Sequence, residues 1–178
     1  MNPDWEILRR ARDGDPSSWR ELLYAYQPRL KALAYLITGS VATADDIAQE
    51  TMFKAIRAPM SHQMGTLDGF LGTIAFRLAV KETQYQKKSV GLDGIDPPGD
   101  TNSPLDSIIK NEQEYILARA IKELDREHSE VLILRFYGNL SYDEISRELG
   151  IPVGTAKSRV FYAVKACCQK LIDKGILE

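Results

Sequence analysis

The chain has 178 residues, 44% of them hydrophobic and 27% charged, which is enough to bury an ordinary core in one domain or two small ones. Lys plus Arg total 23 against 25 Asp plus Glu, a net charge of −2, so the strongly basic surface of a free-standing DNA binder is missing. No apolar run is long enough to cross a membrane, and MNPDWEILRR has no signal-peptide core. Cys167 and Cys168 are adjacent, which excludes an ordinary disulfide framework and fits a reducing cytoplasm.

In chain order, Asp15-Pro16 supplies a helix cap and a first-turn proline. Trp19, Leu22, Leu23, Tyr26, Leu30, Leu33 and Ile37 then keep helical spacing, and Pro28 is expected to bend or split that helix. Gly39-Ser40 breaks the chain. Thr43 and Asp46 are placed to start the next helix, expected over 44–57, in which Ile47, Ala48, Met52, Ala55 and Ile56 are the apolar positions. Asp45, Asp46, Gln49 and Glu50 fall within about one and a half turns, and Asp46, Gln49 and Glu50 share a polar face opposite Ile47. On composition alone, a solvated acidic surface accounts for that face better than a docking strip does. Past a looser stretch from Pro59 to Gly65, Leu67, Phe70, Leu71, Ile74, Ala75 and Leu78 mark an amphipathic helix running towards Lys87-Lys88.

Charge divides the chain into three. Residues 1–88 hold 12 basic and 10 acidic side chains, 89–112 hold one and five, and 113–178 hold ten and ten. The acidic stretch SVGLDGIDPPGDTNSPLDSIIKNE concentrates Gly, Pro, Ser and Asp, and Pro97-Pro98 excludes a helix there. The expectation is an all-α protein: two small helical domains, 1–88 and 113–178, joined by a flexible acidic linker over 89–112.

The C-terminal half carries the sharpest pattern, SYDEISRELGIPVGTAKSRVFYAVK, residues 141–165. Ser141 and Glu144 have capping-box spacing, Gly150 is placed to end the short helix, and Pro152 precedes a second one. Ala156, Val160, Ala163 and Cys167 form a buried stripe on that second helix, expected over 153–170. Thr155, Lys157, Ser158, Arg159, Tyr162 and Lys165 remain on the outer face. From Ile151 to Ile172 there are four basic residues and no acid, the equipment of a recognition helix in a helix-turn-helix. A plain amphipathic helical hairpin shares the same outline.

These residues carry a family resemblance. LDREHSEVLILRFYGNLSYDEISRELGIPVGTAKSRV resembles the C-terminal promoter-reading domain of the extracytoplasmic-function, or group IV, sigma factors of the sigma-70 family. ADDIAQETMFKAIR, residues 44–57, is similar to the segment with which those factors dock on core RNA polymerase. The resemblance covers nearly the whole chain. It implies core binding through Asp45, Asp46, Ile47, Gln49 and Glu50, and −35 reading by Thr155, Lys157, Ser158, Arg159, Tyr162 and Lys165. It also implies −10 recognition and melting by the helix 67–88, through Phe70, Arg77, Lys81, Gln84, Tyr85, Lys87 and Lys88. The implied partners are core RNA polymerase, promoter DNA and an anti-sigma factor, in the cytoplasm, with no membrane insertion and no cofactor.

Two places depart from the family pattern. In FLGTIAFRLAVKETQ, residues 70–84, Phe70, Arg77, Lys81 and Gln84 stand where the family tends to have Trp, Asn, Asp and Arg, which alters the expected −10 preference. Tyr162 and Val164 stand where Arg is frequent, and fewer phosphate contacts imply a shallower salt dependence. Enzyme chemistry has no support. His62 and His128 lack companions at metal-ligand spacing, and GIPVGTAKS lacks the spacing and preceding strand of a phosphate loop. Beside the sigma reading stand a stand-alone helix-turn-helix regulator and an adaptor that binds polymerase without initiating transcription.

Overall fold

The computed structural model describes residues 3–59, 65–89 and 112–177. Among them every regular element is helical: α1 (Pro3–Arg12), α2 (Pro16–Thr38), α3 (Val41–Arg57), α4 (Leu67–Ser89), α5 (Glu112–Lys122), α6 (Arg126–Leu132), α7 (Tyr142–Leu149) and α8 (Val153–Asp173). After α6 the chain widens into a π-helical turn over Ile133–Tyr137. Of the expected linker, only Ser89 and Glu112 lie within the described residues.

The caps are local and arise from neighbouring residues. Asp15 accepts from the backbone N–H groups of Ser17 and Ser18 at 3.1 and 3.2 Å, with Pro16 at the first helical position. Hydrogen bonds from the Ser18 and Ser17 hydroxyls hold its carboxyl down at about 2. Because the folded pKa is depressed, the cap's contribution is present above the ordinary aspartate range and is lost as pH falls through about 2. Gly39, at φ 72°, closes α2 by donating to the Tyr35 carbonyl at 2.8 Å.

Two expectations about this half are corrected. The helix 44–57 begins earlier, at Val41, because the Ser40 hydroxyl caps it by accepting from the Thr43 N–H at 3.2 Å. Pro28 does not split α2, which runs unbroken from Pro16 to Thr38. Pro28 and Tyr24 both lie on the solvent side, so the carbonyl left without a donor faces water rather than the core.

Leu22, Leu30 and Leu33 of α2 meet Ala44, Ala48, Met52 and Ala55 of α3 and Leu67, Leu71, Ala75 and Ala79 of α4. The alanines let the helix axes approach closely, and the leucines fill the space between them. In the other half, Ala118 and Ile121 of α5, Val131 and Leu132 of α6 and Ile145 of α7 pack on the α8 stripe of Ala156, Val160, Ala163 and Cys167. The buried side chains of both halves form one contiguous apolar cluster.

The halves join where α4 crosses the turn after the π-helical segment. Gly72 lies so close to Gly138 that a Cβ at Gly72 would stand 2.6 Å from the Gly138 Cα. Lys122 donates to the Tyr35 hydroxyl at 3.4 Å, its Nζ 4.6 Å from that ring's centroid. The expected capping box is complete: the Ser141 hydroxyl accepts from the Glu144 N–H, and the Glu144 carboxylate accepts from the Ser141 N–H at 2.8 Å. A Cβ at Gly69, in the first turn of α4, would stand 3.1 Å from the same carboxylate, so its negative charge also lies at that helix's positive end. Ser141→Ala should therefore lower stability by about 1 kcal/mol, read as an earlier urea midpoint; an unchanged midpoint would remove the box from the fold's determinants.

Candidate functional site

Three surfaces collect the residues singled out in the sequence. On α3, Asp46, Gln49 and Glu50 are exposed on one face, as their spacing requires. Asp45 stands at the edge of that strip and pairs with Lys31 of α2. Glu50 faces Lys54 at 3.3 Å, one turn on. Ile47, grouped with them as a docking residue, is only 7% exposed and belongs to the core cluster, so in the free chain it supports the strip from beneath. The strip continues into an aromatic pair absent from the residues expected to dock. Phe53 is exposed and lies against Trp19 of α2, ring centroids 6.3 Å apart. Phe53 was detectable as the next residue at helical spacing after Gln49 and Glu50.

On α4, Arg77, Lys81, Gln84 and Lys88 recur at spacings of four, three and four and are all exposed, which makes one cationic face. Tyr85 is exposed beside them. Phe70 is placed differently: it is half-buried and packs on Trp5 of α1, centroids 5.3 Å apart. An aromatic ring held there braces the start of α4 against α1. Of Lys87, the backbone alone is described, within the helix.

Arg77 is already engaged. Its Nε donates to the two Glu148 carboxylate oxygens at 2.8 and 2.9 Å, and its Nη2 donates to Oε2 at 2.7 Å. This fork across the halves holds the guanidinium pKa above its ordinary value, chiefly through the hydrogen bonds to Glu148. Nothing in the sequence advertised Glu148 as a partner, since it lies 71 positions away.

On α8, Lys157, Ser158, Tyr162 and Lys165 are exposed, while Thr155 and Arg159 are half-covered. The Ser158 hydroxyl donates to the Thr155 carbonyl at 3.0 Å. Arg159 pairs with Glu127 of α6 at 3.1 Å. Lys157 stands 6.0 Å from the Tyr142 ring centroid, and Arg135 lies 5.2 Å from the same centroid. Phe161, also exposed, meets Tyr162 edge-on at 5.4 Å, so the outer face of α8 carries aromatic as well as cationic groups. Helix α7 with its Gly150 turn, φ 65°, sets α8 across it in helix-turn-helix order.

Among the described residues, no group of three His, Cys, Asp or Glu side chains could hold a metal ion. No described helix is long and apolar enough to cross a membrane. Cys167 is buried, and burial pushes its thiol pKa up, as befits a core side chain; Cys168 is exposed.

Residues 22–88 match the family model of Sigma-70 region 2, and residues 115–167 match that of Sigma-70, region 4. The chain belongs to the sigma-70 family, in its extracytoplasmic-function group. Relatives include the ECF RNA polymerase sigma factor BldN of Streptomyces coelicolor, 27% identical over 94% of this chain and 66% of that one. The RNA polymerase sigma-H factor of Pseudomonas aeruginosa is 27% identical over 97% of this chain and 93% of its own. The chain thus spans about two thirds of BldN and nearly all of the sigma-H factor. In fold it is similar to the sigma factor RpoE in complex with the anti-sigma factor NepR from Bartonella quintana, with TM-score 0.59 and 23% identity over 87% of this chain and 96% of that one.

The α3 strip gives a direct check of which side chains are surface and which are support. Ile47→Ala should destabilise the protein by about 2–4 kcal/mol through lost burial and a cavity. Asp46→Ala and Gln49→Ala should leave the urea midpoint nearly unmoved. Equal effects on both sides of the helix would contradict the placement of the strip.

Proposed function

We propose that this sigma factor binds core RNA polymerase and directs it to specific promoters. Residues 1–88 dock on core and handle the −10 element, and residues 113–178 read the −35 element. What carries the reading is the presence of both sigma-70 regions, in order, on one chain that also displays a polar strip on α3 and an outer face on α8 with no acid before Asp173.

Each surface suits its assigned partner. Asp46, Gln49 and Glu50 offer carboxylates and an amide to a cationic surface of core, with Asp45 at the edge and Phe53 as an apolar anchor of the kind that dominates interface energies. Arg77, Lys81, Gln84, Tyr85, Lys87 and Lys88 place charge and a stacking surface on α4, which is what capture of an unpaired strand requires. Thr155, Lys157, Ser158, Arg159, Tyr162 and Lys165 suit duplex DNA in the major groove. Lys157, an exposed point charge, fits phosphate; Arg159, braced by Glu127, fits a base edge once that pair opens. Regulation by an anti-sigma factor has its precedent in the RpoE–NepR complex.

Run-off transcription with purified core tests the reading. Transcripts should appear only when the chain is added. Core association without transcripts would indicate an adaptor, and DNA binding without core association a stand-alone regulator. The Asp46→Ala/Gln49→Ala pair should weaken core binding about tenfold, or about 1.4 kcal/mol, in a fluorescence titration; unaltered affinity would remove the strip from the interface. Lys157→Ala should lower promoter affinity evenly across sequences, whereas Arg159→Ala should relax base preference by about 1–3 kcal/mol, measured on a panel of −35 variants. The reverse pattern would exchange the two roles.

A further inference from the structure

Helix α1 precedes the stretch matched by Sigma-70 region 2, which begins at residue 22, yet two of its side chains are hydrogen-bonded to that region's backbone. Trp5, Leu8 and Arg12 recur at spacings of three and four, which sets them along one face of the helix. Trp5 and Leu8 are buried in the core cluster. The Trp5 indole donates from Nε1 to the Gly65 carbonyl at 3.2 Å, and Arg12 donates from Nη1 to the Ala58 carbonyl at 2.7 Å. Ala58 is the residue that ends α3, and Gly65 stands two residues before α4. Seven residue steps separate Trp5 from Arg12, a rise of about 10 Å. One short rod therefore ties down both the exit of α3 and the entry of α4.

Each tie meets a local need. Ala58 is extended, φ −65° and ψ 141°, so no left-handed residue closes α3, and the Arg12 cation lies at that helix's negative end. The entry of α4 is weak by composition, with Gly69 and Gly72 in its first two turns, and glycine loses more freedom in a helix than any other residue. The Thr66 hydroxyl caps it by accepting from the Gly69 N–H at 3.1 Å. Trp5 grips this entry twice: by its hydrogen bond just before the cap, and by its ring on Phe70, centroids 5.3 Å apart. Phe70 stands where the family tends to have Trp; here an indole reaches the same place from α1.

We propose that α1 is a strut for the entry of α4, and that Trp5 and Arg12 are positioning residues for capture of the unpaired −10 strand. The core holds the middle of α4 through Leu71, Ala75 and Ala79. The strut holds the end that the core leaves open, where Gly65 and Thr66 are exposed and Phe70 is half-buried. A base stacks on a ring only where the plane of that ring is fixed, and the cationic face of Arg77, Lys81, Gln84 and Lys88 then follows along the same helix. The role in strand capture rests on the sigma reading; the strut itself does not.

Two measurements on the full chain separate these levels. Trp5→Phe keeps an aromatic ring and removes the donor; it should speed hydrogen exchange of the Gly69 and Phe70 amides about tenfold, with the Val160 and Ala163 amides of α8 unmoved. Arg12→Met should do the same to the Ile56 and Arg57 amides, and it carries the test if circular dichroism shows Trp5→Phe unfolded. Parental exchange rates in these variants would overturn the strut. With core added, 2-aminopurine in the −10 element of a promoter then reports strand opening. Both variants should slow the fluorescence rise about tenfold, the scale of one lost base stack, while core affinity and preference among −35 variants stay at parental values. Arg12→Lys, which retains a donor and the charge, should restore the rate. Faster exchange with a parental opening rate would overturn the positioning role, and so would an equal loss of −35 preference. Absence of any fluorescence rise with the parent chain would contradict the −10 assignment of α4 and the positioning role with it, leaving the strut to be decided by exchange.

Discussion

Two glycine backbones in contact, Gly72 on α4 and Gly138 after the π-helical turn, set how the halves of this chain meet. Any side chain at Gly72 would collide with the Gly138 backbone, so the approach is available only because Gly72 carries no Cβ; one at Gly138 would instead meet Leu134 and Leu140 of its own turn. The remaining contacts depend on that approach. The turn brings Asn139 to Asp68, the axis of α7 brings Glu148 to Arg77, and the Glu144 carboxylate comes to the N-terminal turn of α4. Interfaces between such small modules are commonly weak and polar. This one combines a close backbone approach with an ion pair whose guanidinium is exposed, so it is specific in geometry and sensitive to charge.

The charges assigned to partners show a similar restraint. Asp45 is paired with Lys31, Arg159 with Glu127 and Arg77 with Glu148. Each pair satisfies a charged group in the free chain, and each keeps at least one of its two side chains partly open to solvent. With a net charge of −2, the isolated chain has little general attraction for DNA. Where two weakly binding modules are held at a fixed spacing, engaging the first raises the effective concentration of the second.

The elements whose causes are local were legible in the sequence. The Asp15 cap, the Ser141–Glu144 box, the Gly150 turn and the α8 stripe are set by residues within a turn or two of each other, and the structure places all of them as their spacing demands. Errors arose where a local rule competed with burial or with a neighbouring cap. Ser40 displaced Thr43 at the start of α3, and on the solvent side Pro28 did not split α2. The Arg77–Glu148 fork was not legible at all, because a pair 71 positions apart leaves no periodic trace in one sequence.

The central claim is that the bare backbone at Gly72 sets how the two halves meet. Its most direct test compares Gly72→Ala with Gly154→Ala, a helical position where an added Cβ meets nothing within 4 Å, by urea denaturation. Gly72→Ala should lower the midpoint, while Gly154→Ala should leave it at or above the parent's. Equal midpoints for the two variants would contradict the account.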